Sequence, residues 1–184
     1  MNSPLDFDEL NKLVELQWNE DKSGVSDVVE SLLILAYQKG YNDVQEMLDY
    51  FFYDDISVES LRDAINKKTE GLTPLERVEH YVENGTLSDI QKVVTTECHR
   101  IYNHSANDTS KRVGEESGLI ITKTWVTMSD PKVRDTHDYL DGMTVRLNDY
   151  FYTYNGDFTE YPGQFGVASE DINCRCWINY GLDT

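Results

Sequence analysis

Two short stretches hold the residue types that could do chemistry. Residues 123–142, KTWVTMSDPKVRDTHDYLDG, contain His137, and residues 172–176, INCRC, contain two thiols two positions apart. On a regular strand that spacing turns Cys174 and Cys176 to one side, where a helix-borne His137 could approach them. Two thiolates and an imidazole are three of the four ligands of a tetrahedral zinc ion, with Cys98, His99, His104 or Asp130 open for the fourth. The spacing is not the usual two-residue gap between zinc cysteines. The alternative reading makes Cys174 and Cys176 small buried hydrophobes and His137 a hydrogen-bonded core histidine. A disulfide between them would close a strained ring.

A second constellation is Glu97, Arg134, His137 and Arg175. An acid, an imidazole and two guanidinium groups are what general acid–base cleavage of a phosphodiester by a small nuclease or toxin-like enzyme would employ. The structural alternative has Arg134 and Arg175 anchoring acidic loops through charge-assisted bonds to carboxylates and backbone carbonyls. The chain has no phosphate-cradling glycine loop, His-Glu-x-x-His helix or Gly-x-Ser-x-Gly elbow.

The elements that must position these residues are readable in outline. Alternating Ile121, Lys123, Trp125 and Thr127 predict a strand. Asp130 as a cap and Pro131 at the first position predict a helix over 131–140, ended by Gly142, with Val133, His137 and Leu140 on one face, so that His137 points inward. Upstream, Ser88 with Gln91 opens a helix running to about residue 116, near 45 Å long, with Val93, Val94, Cys98, Ile101 and Ala106 as its buried stripe and a bend or break at Asn107-Asp108. The first ninety residues read as a series of helices: one through Leu10, Leu13 and Val14, a second over 26–39 closed by Gly40, a third from Asn42, a fourth after Ser57, and a fifth behind the Thr73-Pro74-Glu76 capping box. Beyond Gly142 come candidate strands at 144–147 and 150–154, a turn at Asn155-Gly156-Asp157, an ordered loop, and a last strand over 171–180 carrying both cysteines. The fold class is α+β: an acidic helical region over 1–85, then over 86–184 a long helix packed on a small, mostly antiparallel sheet.

Charge narrows the partners. Of a net −18, residues 1–91 carry 7 Lys/Arg against 20 Asp/Glu, whereas residues 92–134 carry 7 against 5. This balance disfavours a general DNA-binding face, since phosphate neutralisation needs clustered cations; only the middle segment is suited to touch nucleic acid. No apolar run is long enough for a membrane span. The acidic opening residues are unlike a secretion signal, so synthesis in a reducing cytosol is expected, with the cysteines as thiols or metal ligands.

The ordered set Trp125, Asp130, Arg134, His137, Asp141, Gly142, then Phe151, Pro162-Gly163 and Asn173-Cys174-Arg175-Cys176, preceded by Thr96-Glu97 and Asn103, resembles the head morphogenesis domain of the phage Mu F-like minor head proteins. The resemblance covers about half the chain. It implies a structural protein rather than an enzyme: a low-copy minor capsid protein of a tailed phage, inside the head near the portal vertex, acting in head assembly and sharing in genome delivery. Its partners would be the portal and other head proteins, with packaged DNA a weaker contact. It would sit in the virion, in the capsid interior, after assembly in the host cytoplasm. On this reading Trp125, Asp130, Arg134, Gly142 and Asn173 are structural motif residues.

Overall fold

In the computed structural model, residues 3–53, 56–69 and 71–183 are described. Five helices come first: α1 (Phe7–Glu20), α2 (Val25–Leu48), α3 (Val58–Asn66), α4 (Pro74–Asn84) and α5 (Leu87–Ser117). All but α2, which follows Gly24, start at side-chain caps. Asp6 accepts from the amides of Asp8 and Glu9, Ser57 from that of Ser60, and Thr73 with Glu76 closes the predicted capping box, satisfying donors that a helix end leaves unpaired. The α5 box differs from the expected one. Thr86 and Asp89 form it, not Ser88 and Gln91.

Gly40 does not end a helix. Instead α2 runs through it for 24 residues, because Gly40 sits where α2 crosses α5 and its missing side chain lets the two backbones meet. A Cβ there would lie 3.1 Å from the amide nitrogen of Ala106 and would overlap the carbonyl oxygen of Tyr102. Beside this crossing Ser105 Oγ donates to the Tyr37 carbonyl at 2.7 Å, and Tyr102 OH donates to Asp43 at 2.9 Å.

The long α5, about 45 Å at 1.5 Å per residue, is the axis of the molecule. It passes Asn107-Asp108 without interruption. Residues 97–103 are buried on every face of the helix rather than along one stripe, since helices cover one side and the C-terminal loops the other. Half-buried polar side chains further along it act as tethers: His104 Nδ1 pairs with Tyr161 OH at 2.8 Å, and Lys111 with Glu160 at 2.8 Å.

The remaining elements are β1 (Ile121–Val126), α6 (Asp135–Asp138), β2 (Thr144–Arg146), β3 (Phe151–Tyr152), β4 (Phe158–Thr159), α7 (Ala168–Asp171) and β5 (Trp177–Leu182). Strand β1 is central in an antiparallel sheet ordered β2-β1-β5, with Lys123 opposite Val145 and Tyr180; β3 and β4 form a separate hairpin around the predicted Asn155-Gly156-Asp157 turn. The fold is thus α+β, a long helix with a small antiparallel sheet. Two expectations are corrected. The helix over 131–140 shrinks to Asp135–Asp138, because Asp130 caps a local turn at the Lys132 amide (2.9 Å) while the same carboxylate holds Arg175. The last strand begins at Trp177, where pairing with β1 begins at Val126, and not at Asp171; Asn173 in the left-handed region (φ 56°) turns the chain before it.

The buried face of β1 carries one unexpected charge. Lys123 is fully buried, its Nζ lies 5.6 Å from the centre of the Phe151 ring, and it has no hydrogen-bond partner among the described residues. Desolvation pulls its pKa from the ordinary 10.5 to about 8, against the pull of Glu160. The folded protein then releases this proton near pH 8, while the unfolded chain keeps it to about pH 10.5. Stability from this group rises with pH across that window, and the penalty is fully present below it. Lys123→Met is expected to be more stable than the parent at pH 7 by at most about 3 kcal/mol, at 1.36 kcal/mol per pKa unit. Urea titrations at a series of pH values should show the gap closing between about pH 8 and 10.5. Equal stability at pH 7 would sink the idea.

Candidate metal centre

Strand β1 delivers Trp125, α6 delivers His137, and the loop between α7 and β5 delivers Cys174 and Cys176. His137 Nδ1 lies 3.5 Å from Cys174 Sγ and 3.4 Å from Cys176 Sγ. All three residues are at most 3% exposed. The thiols meet the imidazole although they do not lie on a strand, because the loop that carries them is tied down residue by residue. The Asn173 amide donates to Thr96 Oγ1 at 3.2 Å. Arg175 grips Asp130 in a two-pronged pair at 2.8 and 2.6 Å. His99 Nε2 donates to the Cys176 carbonyl, with Asn103 Nδ2 at 3.4 Å from the same oxygen. Arg134 donates to the Ile172 carbonyl.

Around this trio the walls are aromatic. Trp125 stands edge-on to His137 and to Phe151 at centroid distances of 5.4 and 5.2 Å, and Phe165 stacks on the imidazole at 5.5 Å while also meeting Trp125 edge-on at 6.0 Å. Gly142, at φ 75°, donates its amide to the Trp125 carbonyl at 2.9 Å and so closes the turn that brings α6 back to β1. Asp141 accepts from the Thr127 amide at 2.7 Å beside it.

Electrostatically the two thiols behave as one unit that gives up a first proton easily and a second with difficulty. Burial opposes charge on Cys174, yet the hydrogen bond with Cys176 and the fields of His99 and His137 hold it well below the ordinary thiol range. Cys176 is pushed far up, by that same hydrogen bond with Cys174 and by burial. The half-buried Asp130 carboxyl is held down at about 2, first by its hydrogen bond from Arg175.

The four residues of the acid–base reading are not brought together. Glu97 is buried between Arg100 (2.8 Å) and Arg77 (3.8 Å), and lines a cleft of about 270 Å³ with Thr69 and Gly163. Arg134 and Arg175 line a different cleft of about 780 Å³ with Lys132 and Asp6. His137 is 1% exposed. Of the fourth ligands considered for zinc, Cys98, His99, His104 and Asp130, none joins His137, Cys174 and Cys176 in a cluster with ligand atoms within 4.8 Å of one another among the described residues.

One group at this centre was not foreseen. Glu170, 6% exposed on α7, places a carboxylate oxygen 3.0 Å from His137 Nε2 and takes a hydrogen bond from Thr136 Oγ1 at 2.8 Å. An acidic residue four positions before Cys174 is the signal that could have found it, but surface acids are so common in this chain that it does not stand out.

The profile of the family described as Phage Mu protein F like protein matches residues 59–179. A stretch of 62 residues is 45% identical to an NAD(+)–arginine ADP-ribosyltransferase of Enterococcus faecalis, covering 34% of this chain and 12% of the enzyme. Another of 118 residues is 27% identical to a minor head protein of Bacillus phage SPP1, covering 62% of this chain and 36% of that protein. The chain therefore spans well under two thirds of either relative. No solved structure matches it.

Proposed function

We propose that this chain, which belongs to the phage Mu protein F like family, is a minor head protein that acts in assembling the head of a tailed phage. The observation that carries the reading is the similarity to the SPP1 minor head protein over 62% of the chain. The architecture fits a structural part. Polar side chains of α5 tie it to α2 and to the C-terminal loops, and no helix among the described residues is long and apolar enough to cross a membrane. The stretch shared with the ADP-ribosyltransferase amounts to 12% of that enzyme and carries no enzymatic proposal.

The finer role we infer is association with the portal inside the capsid, with other head proteins as further partners and a share in genome delivery. Residues 1–85 form the acidic helical region and 86–184 the head morphogenesis domain. The excess of acid over residues 1–91 repels packaged DNA and suits a protein partner, so the helical region is the surface we assign to it. Coexpression of the full chain with portal and major capsid proteins tests this. The chain is expected to copurify with the portal oligomer and to be present in purified heads. Heads that assemble without it, together with no portal association at low salt, would overturn the proposal.

A further inference from the structure

We propose that His137, Cys174 and Cys176 bind a zinc ion that clamps the loop between α7 and β5 onto α6 and β1. Their ligand atoms all lie within 4.8 Å of one another. With Zn–S near 2.3 Å and Zn–N near 2.0–2.1 Å, a tetrahedral ion would hold sulfur and nitrogen about 3.6 Å apart. Nδ1 stands 3.5 and 3.4 Å from the two sulfurs. Three side chains from two separate segments, 37 and 39 residues apart in sequence, thus already stand at ligand spacing.

Two neighbours point to an ion rather than to plain packing. Glu170 lies behind His137 with a carboxylate oxygen 3.0 Å from Nε2, the nitrogen that does not face sulfur, at ion-pair distance though outside hydrogen-bond geometry, and Thr136 donates to it. A negative charge on that side favours the ring proton on Nε2 and so leaves Nδ1 as the nitrogen to ligate. A core histidine would gain little from a buried acid, whose own desolvation is costly. The second neighbour is the Trp125 indole N–H. It is fully buried, has no hydrogen-bond partner among the described residues, and is directed at Cys176. An N–H without an acceptor is costly in the interior, and a metal-bound thiolate is a far better acceptor than a neutral thiol.

The donor set selects the metal class. Two sulfurs and one imidazole suit zinc and exclude magnesium and calcium, which take oxygen. Two thiolates also neutralise the ion's double positive charge within a buried site. The contribution of zinc held this way is structural: binding to the folded state alone adds to folding stability.

The test uses the full chain purified without chelator. Mass spectrometry should find one zinc per chain, and a strong chelator should remove it with a fall in Tm. Cobalt(II) loaded into the stripped protein should show thiolate-to-metal charge transfer and tetrahedral bands. Cys174→Ser and Cys176→Ser should lose the metal, Cys98→Ser should keep it, and Glu170→Gln should weaken zinc binding by about 10- to 100-fold. No metal after dialysis against zinc, with no cobalt–thiolate bands in the parent protein, would overturn the proposal, as would zinc retained in both cysteine variants. Iron or copper in place of zinc would overturn the assignment of the ion. The cobalt spectrum of the parent decides the matter even where a cysteine variant fails to fold.

Discussion

Gly40→Ala is expected to destabilise the protein by about 3 kcal/mol or more, lowering Tm by roughly 6–12 °C for a chain of this size. Helix propensity alone makes the opposite forecast, since alanine is better than glycine in a helix interior by about 1 kcal/mol. The sign of the result therefore separates the two effects. The new methyl would meet backbone, the Tyr102 carbonyl and the Ala106 amide, and backbone cannot rotate away as a side-chain end can. Either α2 and α5 move apart, loosening the Ser105–Tyr37 and Tyr102–Asp43 bonds beside the crossing, or α2 bends. Urea unfolding of parent and variant measures the difference. A variant as stable as the parent would mean that the helices do not approach as closely as described.

Trp125→Ala should cost about 3–5 kcal/mol, the range for deleting a fully buried aromatic side chain. Trp125 is completely buried and forms edge contacts with His137, Phe151 and Phe165, so its loss leaves a cavity among rings from three other segments. The damage should be concentrated in the C-terminal half. Near-ultraviolet circular dichroism should lose its aromatic signal there, while helix content by far-ultraviolet dichroism changes little below the transition. Trp125→Phe fills much of the space and removes only the indole N–H near Cys176, so it should cost far less. Equal losses in the two variants would show that packing is not what Trp125 supplies.

What could be read from residue order, and what could not, follows from the range of the interactions involved. Helix starts depend on neighbours three residues apart, and the Thr73-Pro74-Glu76 box stands where its spacing puts it. The same local logic misread Gly40, whose role is set by Tyr102 and Ala106 more than sixty positions away. The strand through Ile121, Lys123 and Trp125 shows in its alternation, and those three side chains are its buried face. That places Lys123 inward but gives no warning that it has no partner there. His137 does turn inward, although the helix predicted to turn it shrinks to Asp135–Asp138 and leaves Val133 and Leu140 outside it. The route by which Cys174 and Cys176 reach it is not legible, because it depends on a left-handed Asn173 and on an Arg175–Asp130 pair that spans 45 residues. Glu170 stayed hidden for the same reason.

The two hydrophobic clusters of the molecule meet along α2 and α5 and nowhere require a linker. Ile101 and Tyr102 belong to the cluster beneath the N-terminal helices and Ala106 to the one beneath the sheet; on α2, Tyr37 and Val44 are divided in the same way. The boundary is thus crossed by two uninterrupted helical rods pressed together at Gly40. Tilting one cluster against the other would have to bend both rods at once and stretch their hydrogen-bond ladders, so the joint lacks the soft dihedrals of a hinge. A load applied at either end is carried to the other as in a stiff double strut.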